Sequence, residues 1–282
     1  MRKYSEFIMK IVFMLSACIS VLAVALICFF LFSEGLPVIG EIGVLNFLGG
    51  TMWKPLEGLY GILPMIVGSI YVTAGAILIG VPIGLLCAVF MAKFCPARVY
   101  RIMKPAIDLL AGIPSIVYGF FGLMVIVPVV QQLAGTSGKG VLTASIMLGI
   151  MILPTIISVS ESAIRAVPAS YYEGALALGA THERSVFFVT LPAAKSGIMA
   201  GVILGVGRAI GETMAVVMIA GNQPVIPGSI LSGVRTMTAN IVLEMGYASG
   251  LHRQALIATA VVLFVFILII NISFSLLKRR ND

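Results

Sequence analysis

Six apolar runs, each long enough to cross a lipid bilayer, dominate the sequence. A spanning helix needs about 20 apolar residues, whereas a spanning strand needs only about 10 in an alternating pattern. The sequence therefore predicts an all-α polytopic membrane protein with one transmembrane domain over residues 1–282. We expect its six transmembrane helices near residues 11–32, 66–92, 106–130, 141–160, 196–221 and 254–277.

Composition agrees with a membrane location. Of the 282 residues, 60% are hydrophobic and 10% are charged, and the mean hydropathy is +1.13. A water-soluble domain carries about 25% charged residues, so this chain cannot present a hydrated surface on every side. The four cysteines of the chain show no metal-binding spacing, so we expect no metal site. We also expect no catalytic residue in this chain.

Lysine and arginine are concentrated on one side of the predicted spans. They cluster in the amino end, in the segments 93–104 and 161–195, and in the tail 278–282. By the positive-inside rule these segments are cytoplasmic, which places both termini of this multi-pass cell-membrane protein in the cytoplasm. The net charge of +7 follows from this asymmetry and requires no nucleic-acid partner.

The segments expected on the outer side are 33–65 and 222–253. Glycine and proline in the first of them argue against a long helix there. Trp53, the single tryptophan, is expected at the outer membrane interface, where tryptophan is common. His182 and His252 both fall in loops, and we expect each to be solvated.

The cytoplasmic segment 161–195 contains two short helical runs. The first, "SYYEGALALG", has Ser170 as a candidate N-cap and Gly179 as a candidate C-cap. The second begins at Thr181 and is expected to stop before Pro192. The pattern is compatible with a docking element for a partner and equally with a connector lying on the membrane surface.

Two charges, Arg208 and Glu212, interrupt the fifth apolar run. A charge at that depth costs about 2.5–3.5 kcal/mol on insertion scales. In a continuous helix, a spacing of four residues places both side chains on one face. They can form a self-neutralising pair, or they can line a pathway for an oxyanion, because a guanidinium matches phosphate oxygens. Gly205, Gly207 and Gly211 beside them serve either helix packing or solute access.

The third run adds candidate pathway or gating residues. Pro114 is expected to kink this span, because proline removes a backbone hydrogen bond. Ser115 and Tyr118 offer hydroxyl groups, although packing also explains them. Asp108, four residues after Lys104, is expected to form an interfacial ion pair.

The cytoplasmic segment resembles the signature of ABC importer permeases, "EAA---G---------I-LP". The matching residues are Glu173, Ala175, Gly179, Val189, Leu191 and Pro192, and Gly174 replaces the usual first alanine. The resemblance implies the type I importer permease (MetI-like) fold. It also implies that Glu173, Gly174, Ala175, Gly179, Leu191 and Pro192 contact a cytoplasmic ATPase.

A narrower resemblance covers nearly the whole chain. The segments "LLAGIPSIVYGFFGL" and "LGVGRAIGETMAVVMIAGN" are similar to the PstC-type permease subunit of phosphate-specific transport systems. This resemblance implies three partners besides membrane lipid: a PstA-type permease, a PstB-type ATPase dimer and an extracytoplasmic PstS-type phosphate-binding protein. The chain contains no GxxxxGK[ST] motif, so ATP and magnesium are expected in the ATPase and no cofactor in this chain.

Other functions remain possible at this point. A permease for molybdate, sulfate or an organic solute would share the same signature. A secondary transporter or channel would also bury charges, but it would not need a docking element. An intramembrane enzyme is the weakest alternative, because the predicted spans contain no paired catalytic set.

Overall fold

The computed structural model describes residues 2–279, so Arg280 of the predicted cytoplasmic tail lies outside the described residues. Helices form most of this part of the chain, and one hairpin pairs β1 (Trp53–Lys54) with β2 (Leu59–Tyr60). The helices are α1 (Arg2–Ile42), α2 (Val44–Gly49), α3 (Leu63–Val89), α4 (Ala97–Gly112), α5 (Ser115–Phe121), α6 (Val127–Ala134), α7 (Val141–Arg165), α8 (Ala169–Ala177), α9 (His182–Ser185), α10 (Leu191–Ala193), α11 (Lys195–Gly211), α12 (Met214–Ile219), α13 (Met237–Met245) and α14 (Gly250–Arg279).

Short π-helical segments continue three of these helices. They follow α3 at Phe90–Phe94, α5 at Gly122–Ile126 and α9 at Val186–Thr190. Five continuous helices of the described chain are long and apolar enough to cross a membrane: Met9–Ile42, Leu63–Phe94, Ser115–Ala134, Val141–Arg165 and Gly250–Ser273.

The remaining candidate span is bent. Lys195–Gly211 is long and apolar enough to cross a membrane only when it is taken together with His182–Ala193. The two segments are bent by 70° relative to each other. Beyond Gly211 the chain is extended at Glu212, and α12 begins at Met214. The predicted continuous span at 196–221 is therefore divided into two helices. The predicted third span is divided as well, between α4 and α5.

The first helix is longer than the sequence indicated. It continues through Pro37 to Ile42, so the expectation of no long helix after residue 33 is wrong for these residues. Membrane helices tolerate proline where neighbouring helices stabilise them. Here Gly35 lies against Ala258 and Val261 of α14, and Phe32 packs edge-on against Phe264 at 5.8 Å.

Helix α7 lies at the centre of the fold, between α3 and α11. Its buried residues include Met147, Met151, Ile152 and Ile156. Glycines allow both neighbours to approach closely: a Cβ added at Gly80 of α3 would lie 2.8 Å from the carbonyl oxygen of Gly149. Small residues at such interfaces are typical of packed membrane helices.

Helix α11 has two different faces. One face carries Gly197, Gly201 and Gly205, where an added Cβ would lie within 3 Å of α7 side chains. The other carries Gly207 and Gly211, where an added Cβ would have no neighbour within 4 Å. The sequence left the role of these glycines open. The structure assigns Gly205 to packing and leaves Gly207 and Gly211 beside open space.

This asymmetry predicts unequal effects of two identical substitutions. Gly201→Val should lower the free energy of unfolding by about 1–3 kcal/mol, because the new side chain overpacks the contact with Ser160 and Val159. Gly207→Val should change it far less. Thermal unfolding of the two purified variants in detergent compares them, and equal losses of stability would contradict the assignment of the faces.

Candidate functional site

Two interrupted helices lie against each other in the middle of the fold. The chain is extended at Ile113, between α4 and α5, and again at Glu212, between α11 and α12. Helices α5 and α12, which follow the two breaks, are packed so closely that a Cβ at Gly119 would lie 2.8 Å from Cα of Ala215. Irregular backbone at membrane depth is tolerated only where it is buried in protein or lines an aqueous cavity.

The break at Glu212 changes the predicted geometry of the two charges. Helix α11 ends at Gly211, so the four-residue spacing does not place Arg208 and Glu212 on one helical face. The predicted same-face arrangement is therefore wrong, and no ion pair joins the two side chains within the described residues. Helical spacing rules apply only while the helix continues.

Glu212 instead stabilises the break. Its Oε1 accepts hydrogen bonds from the backbone amides of Thr213 at 3.1 Å and Ala215 at 3.3 Å. These amides lie at the start of α12, where backbone donors have no partner within the helix. The Thr238 hydroxyl donates to the carbonyl oxygen of Glu212 at 3.0 Å, which connects the break to the outer segment.

Arg208 lies in the last turn of α11 and is half-buried. Its Nη1 donates to Oγ1 of Thr155 in α7 at 3.2 Å. A guanidinium has five N–H donors, so this bond leaves most of them available to a ligand. Thr155 was not predicted from the sequence, where the only available signal is a threonine directly after Pro154 in an apolar run.

The residues of the third run have separate roles. Pro114 lies at the break between α4 and α5, so the chain is interrupted there and not only kinked as predicted. Ser115 is the first residue of α5. The Tyr118 hydroxyl donates to the carbonyl oxygen of Leu110 at 2.8 Å, across the break. The predicted ion pair of Asp108 with Lys104 is confirmed, at 3.1 Å.

A charged cluster missed in the sequence connects α4 with α7. Glu161 is only 2% exposed, and it accepts a hydrogen bond from the Tyr100 hydroxyl at 2.8 Å. Lys104 and Arg165 both form ion pairs with it, and Arg165 Nη2 also donates to the carbonyl oxygen of Met91 at 2.7 Å. No sequence signal links Tyr100 with Glu161, because they are far apart in the chain.

The cluster changes two pKa values. The hydrogen bond to Glu161 raises the pKa of Tyr100 above its ordinary value. Desolvation alone would lower the pKa of Lys104, but the Asp108 and Glu161 carboxylates outweigh it and raise that pKa. Lys104 therefore remains a cation at physiological pH.

The segment that carries the importer signature forms two short helices. Helix α8 begins at Ala169 and has Pro168 in its N-cap position, so the predicted N-cap at Ser170 is wrong. Gly179 has φ of +84°, the left-handed conformation expected of a glycine after a helix. The second helical run passes Pro192 and ends at Ala193, which corrects the predicted end. Proline is tolerated there because it lies in the first turn of α10.

Contacts between side chains hold these two helices together. The Tyr172 hydroxyl and His182 Nδ1 form a hydrogen bond of 2.7 Å, and the His182 ring lies edge-on to Phe94 at 4.7 Å. The expectation that His182 is simply solvated is therefore wrong. Glu173 and Gly174 remain exposed on α8.

The segments predicted to lie on the outer side converge on one carboxylate. Glu244 is bonded to Arg235 at 2.6 Å, to Nε1 of Trp53 at 2.8 Å and to Nε2 of His252 at 2.8 Å. Trp53 is 5% exposed and so is buried within the protein, and the expected solvation of His252 is wrong. Both side chains supply hydrogen bonds of the kind that a buried carboxylate requires.

One protein-family model matches residues 80–282, that of the binding-protein-dependent transport system inner membrane component. Among curated proteins, the probable ABC transporter permease protein YqgH of Bacillus subtilis (strain 168) is 39% identical over 266 residues, covering 90% of this chain and 86% of that protein. The phosphate transport system permease protein PstC of Mesorhizobium japonicum is 37% identical, covering 80% of this chain and 75% of that protein. PstC of Pasteurella multocida is 35% identical, covering 83% and 80%.

Solved transporter structures share the fold. A chain of the inward-facing MetNI methionine ABC transporter superposes with a TM-score of 0.64 at 22% identity, covering 82% of this chain and 100% of that chain. A bacterial ABC transporter involved in the import of alginate gives a TM-score of 0.58 at 15% identity, covering 93% and 95%. At these identities the similarity shows the fold alone, and it confirms the predicted all-α, MetI-like fold class.

Proposed function

The chain belongs to the family of binding-protein-dependent transport system inner membrane components, and we propose that it is the PstC-type permease subunit of a phosphate importer. Membership makes it a multi-pass membrane component of an ABC transporter. The choice of phosphate is supported by the printed names of relatives such as PstC of Mesorhizobium japonicum and Pasteurella multocida.

The placement of Arg208 is the observation that carries the proposal. Its guanidinium is half-buried near the end of α11, and its one described hydrogen bond is to the neutral hydroxyl of Thr155 in α7. A fixed, permanently charged fork of donors suits phosphate oxygens better than an ammonium does. Because Glu212 does not neutralise it, the positive charge is available to attract a phosphate ion during translocation.

Glu212 contributes to the pathway by shaping the backbone. It keeps the amides at the start of α12 bonded, and so it stabilises the end of α11 at Gly211, three residues after Arg208. In our proposal it positions Arg208 and the open face and does not pair with the arginine. Pro114, Ser115 and Tyr118 form the opposing break, where Tyr118 holds the two halves of the third span together.

The segment 161–195 is proposed to face the cytoplasm and to dock on the ATPase. Its signature residues Glu173 and Gly174 are exposed, and the small side chains nearby allow a partner to approach closely. The partners in this proposal are a PstA-type permease, a PstB-type ATPase dimer that uses ATP with magnesium, and an external PstS-type binding protein. Both termini of this chain are then cytoplasmic, and this chain itself performs no covalent chemistry.

Removal of the buried cation should abolish most transport. Arg208→Gln keeps a hydrogen-bond donor for Thr155 but loses the charge. Because a hydrogen bond to a charged group is worth about 1.5–3 kcal/mol, we expect ATP-dependent phosphate uptake to fall at least about tenfold. Uptake of labelled phosphate is measured in vesicles containing the assembled importer and its binding protein.

Arg253→Gln is the matched control for this experiment. Arg253 is exposed near the start of α14, so the same loss of charge should leave uptake close to wild type. Normal uptake by assembled Arg208→Gln would contradict a role of Arg208 in the pathway. A wild-type importer that moves sulfate or molybdate but not phosphate would contradict the substrate and leave the family membership intact.

Coupling should depend on the turn at Gly179. Proline at this position cannot adopt φ of +84°, so Gly179→Pro should disrupt the turn between α8 and α9. We expect insertion in the membrane but loss of both ATP-driven uptake and substrate-stimulated ATP hydrolysis. Gly174→Ala, which restores the alanine usual at this position of the importer signature, is the control and should transport normally. Normal coupling in Gly179→Pro would exclude the docking role.

A further inference from the structure

A cavity of about 550 Å³ lies at the amino end of α4, separate from the face that carries Arg208. It is lined by side chains from α4, from the segment before it and from the end of α7. The lining residues are Cys95, Ala97, Tyr100, Arg101, Lys104, Pro105 and Arg165.

Three of these side chains are cations: Arg101, Lys104 and Arg165. The buried Glu161 holds Lys104 and Arg165 in place, and it does not line the cavity. Arg101 has no hydrogen-bond or ion-pair partner among the described residues of the chain. The lining therefore carries more positive charge than its neighbouring carboxylates neutralise, and it includes one guanidinium with all its donors available.

The start of α4 adds backbone donors to this charge. The 16-residue helix begins at Ala97, which itself lines the cavity, and no side chain caps its first turn. The unpaired amides and the positive end of the helix dipole both favour an anion at such a position. Planar guanidinium groups beside backbone amides are the donor set that phosphate groups require.

The surroundings of the cavity are suited to a lipid. Ile102 and Leu109 of α4 are 75% and 74% exposed, so the same helix presents apolar side chains next to the cations. The segment 93–104 is basic, and by the positive-inside rule it lies at the cytoplasmic leaflet, where anionic lipids attract cations.

We propose that this cavity, the α4 anion site, binds a phosphate group, carried by an anionic phospholipid headgroup or present as free inorganic phosphate. Arg101 is the residue that recognises the group, while Lys104 and Arg165 supply a fixed positive field. The site is independent of the proposed function of Arg208, because the two share no residue.

Binding is tested with the purified full-length chain in detergent. In the first arm, native mass spectrometry measures the binding of phosphatidylglycerol as adducts of the chain. In the second arm, isothermal titration calorimetry measures the binding of inorganic phosphate. Arg101→Gln should weaken the affinity for the phosphate group about fivefold, which corresponds to about 1 kcal/mol for the loss of one cation. Arg98→Gln is the matched control, since Arg98 is exposed on the same helix and does not line the cavity.

The two arms distinguish the sources of the phosphate group. Phosphatidylglycerol adducts that weaken in Arg101→Gln but not in Arg98→Gln identify a lipid headgroup site. The same pattern with inorganic phosphate alone identifies a site for the free ion. Equal weakening in both variants would show only diffuse surface attraction, and it would overturn the proposal, as would the lack of binding by the wild-type chain in both arms.

Arg101→Lys provides a second check on the same site. It keeps the charge but loses the planar fork, so it should bind between the wild type and Arg101→Gln. Circular dichroism of each variant confirms that helix content is unchanged. Binding by Arg101→Lys as tight as by the wild type would contradict recognition of the group by the planar fork of Arg101, because charge alone would then be sufficient.

Discussion

Backbone hydrogen bonding in the membrane is the constraint on which the structure depends. Hydrocarbon offers no partner to a free amide or carbonyl, so a span can be interrupted only where the protein itself satisfies the break. The Glu212 carboxylate and the Thr238 hydroxyl do so at one break. Tyr118 donates its hydroxyl across the other. These contacts allow α11 to end at Gly211, three residues after Arg208.

The remaining buried charges secure the two ends of the molecule. Glu161 connects α4 to α7 near the segment that carries the importer signature, and Glu244 gathers the outer segments around Arg235. Each carboxylate has several donors, as buried charges require. Arg208 differs from them, because its only described polar contact is the neutral hydroxyl of Thr155. A charge left without a counter-ion inside a transporter is a strong reason to look for an anionic ligand.

Much of this fold follows from local sequence patterns. Apolar runs located the spans, Pro114 marked a break, and Gly179 marked a turn, because each signal acts within a few residues. The exact partner of a charge does not follow from such patterns. Glu212 was expected beside Arg208 because helical spacing assumes a continuous helix, and the interruption after Gly211 removes that premise. Tyr100 and Trp53 meet Glu161 and Glu244 only through tertiary packing, which the sequence does not display.

The central claim is that the end of α11 that contains Gly207 and Arg208 lines an aqueous path. It is tested most directly by cysteine accessibility in the reconstituted importer, after replacement of the four native cysteines. Gly207→Cys should react with a water-soluble thiol reagent, at a rate that changes during ATP turnover. Ala209→Cys, at a position that is 3% exposed, should remain protected. Equal reactivity of the two variants, or an unreactive Gly207→Cys, would contradict the account.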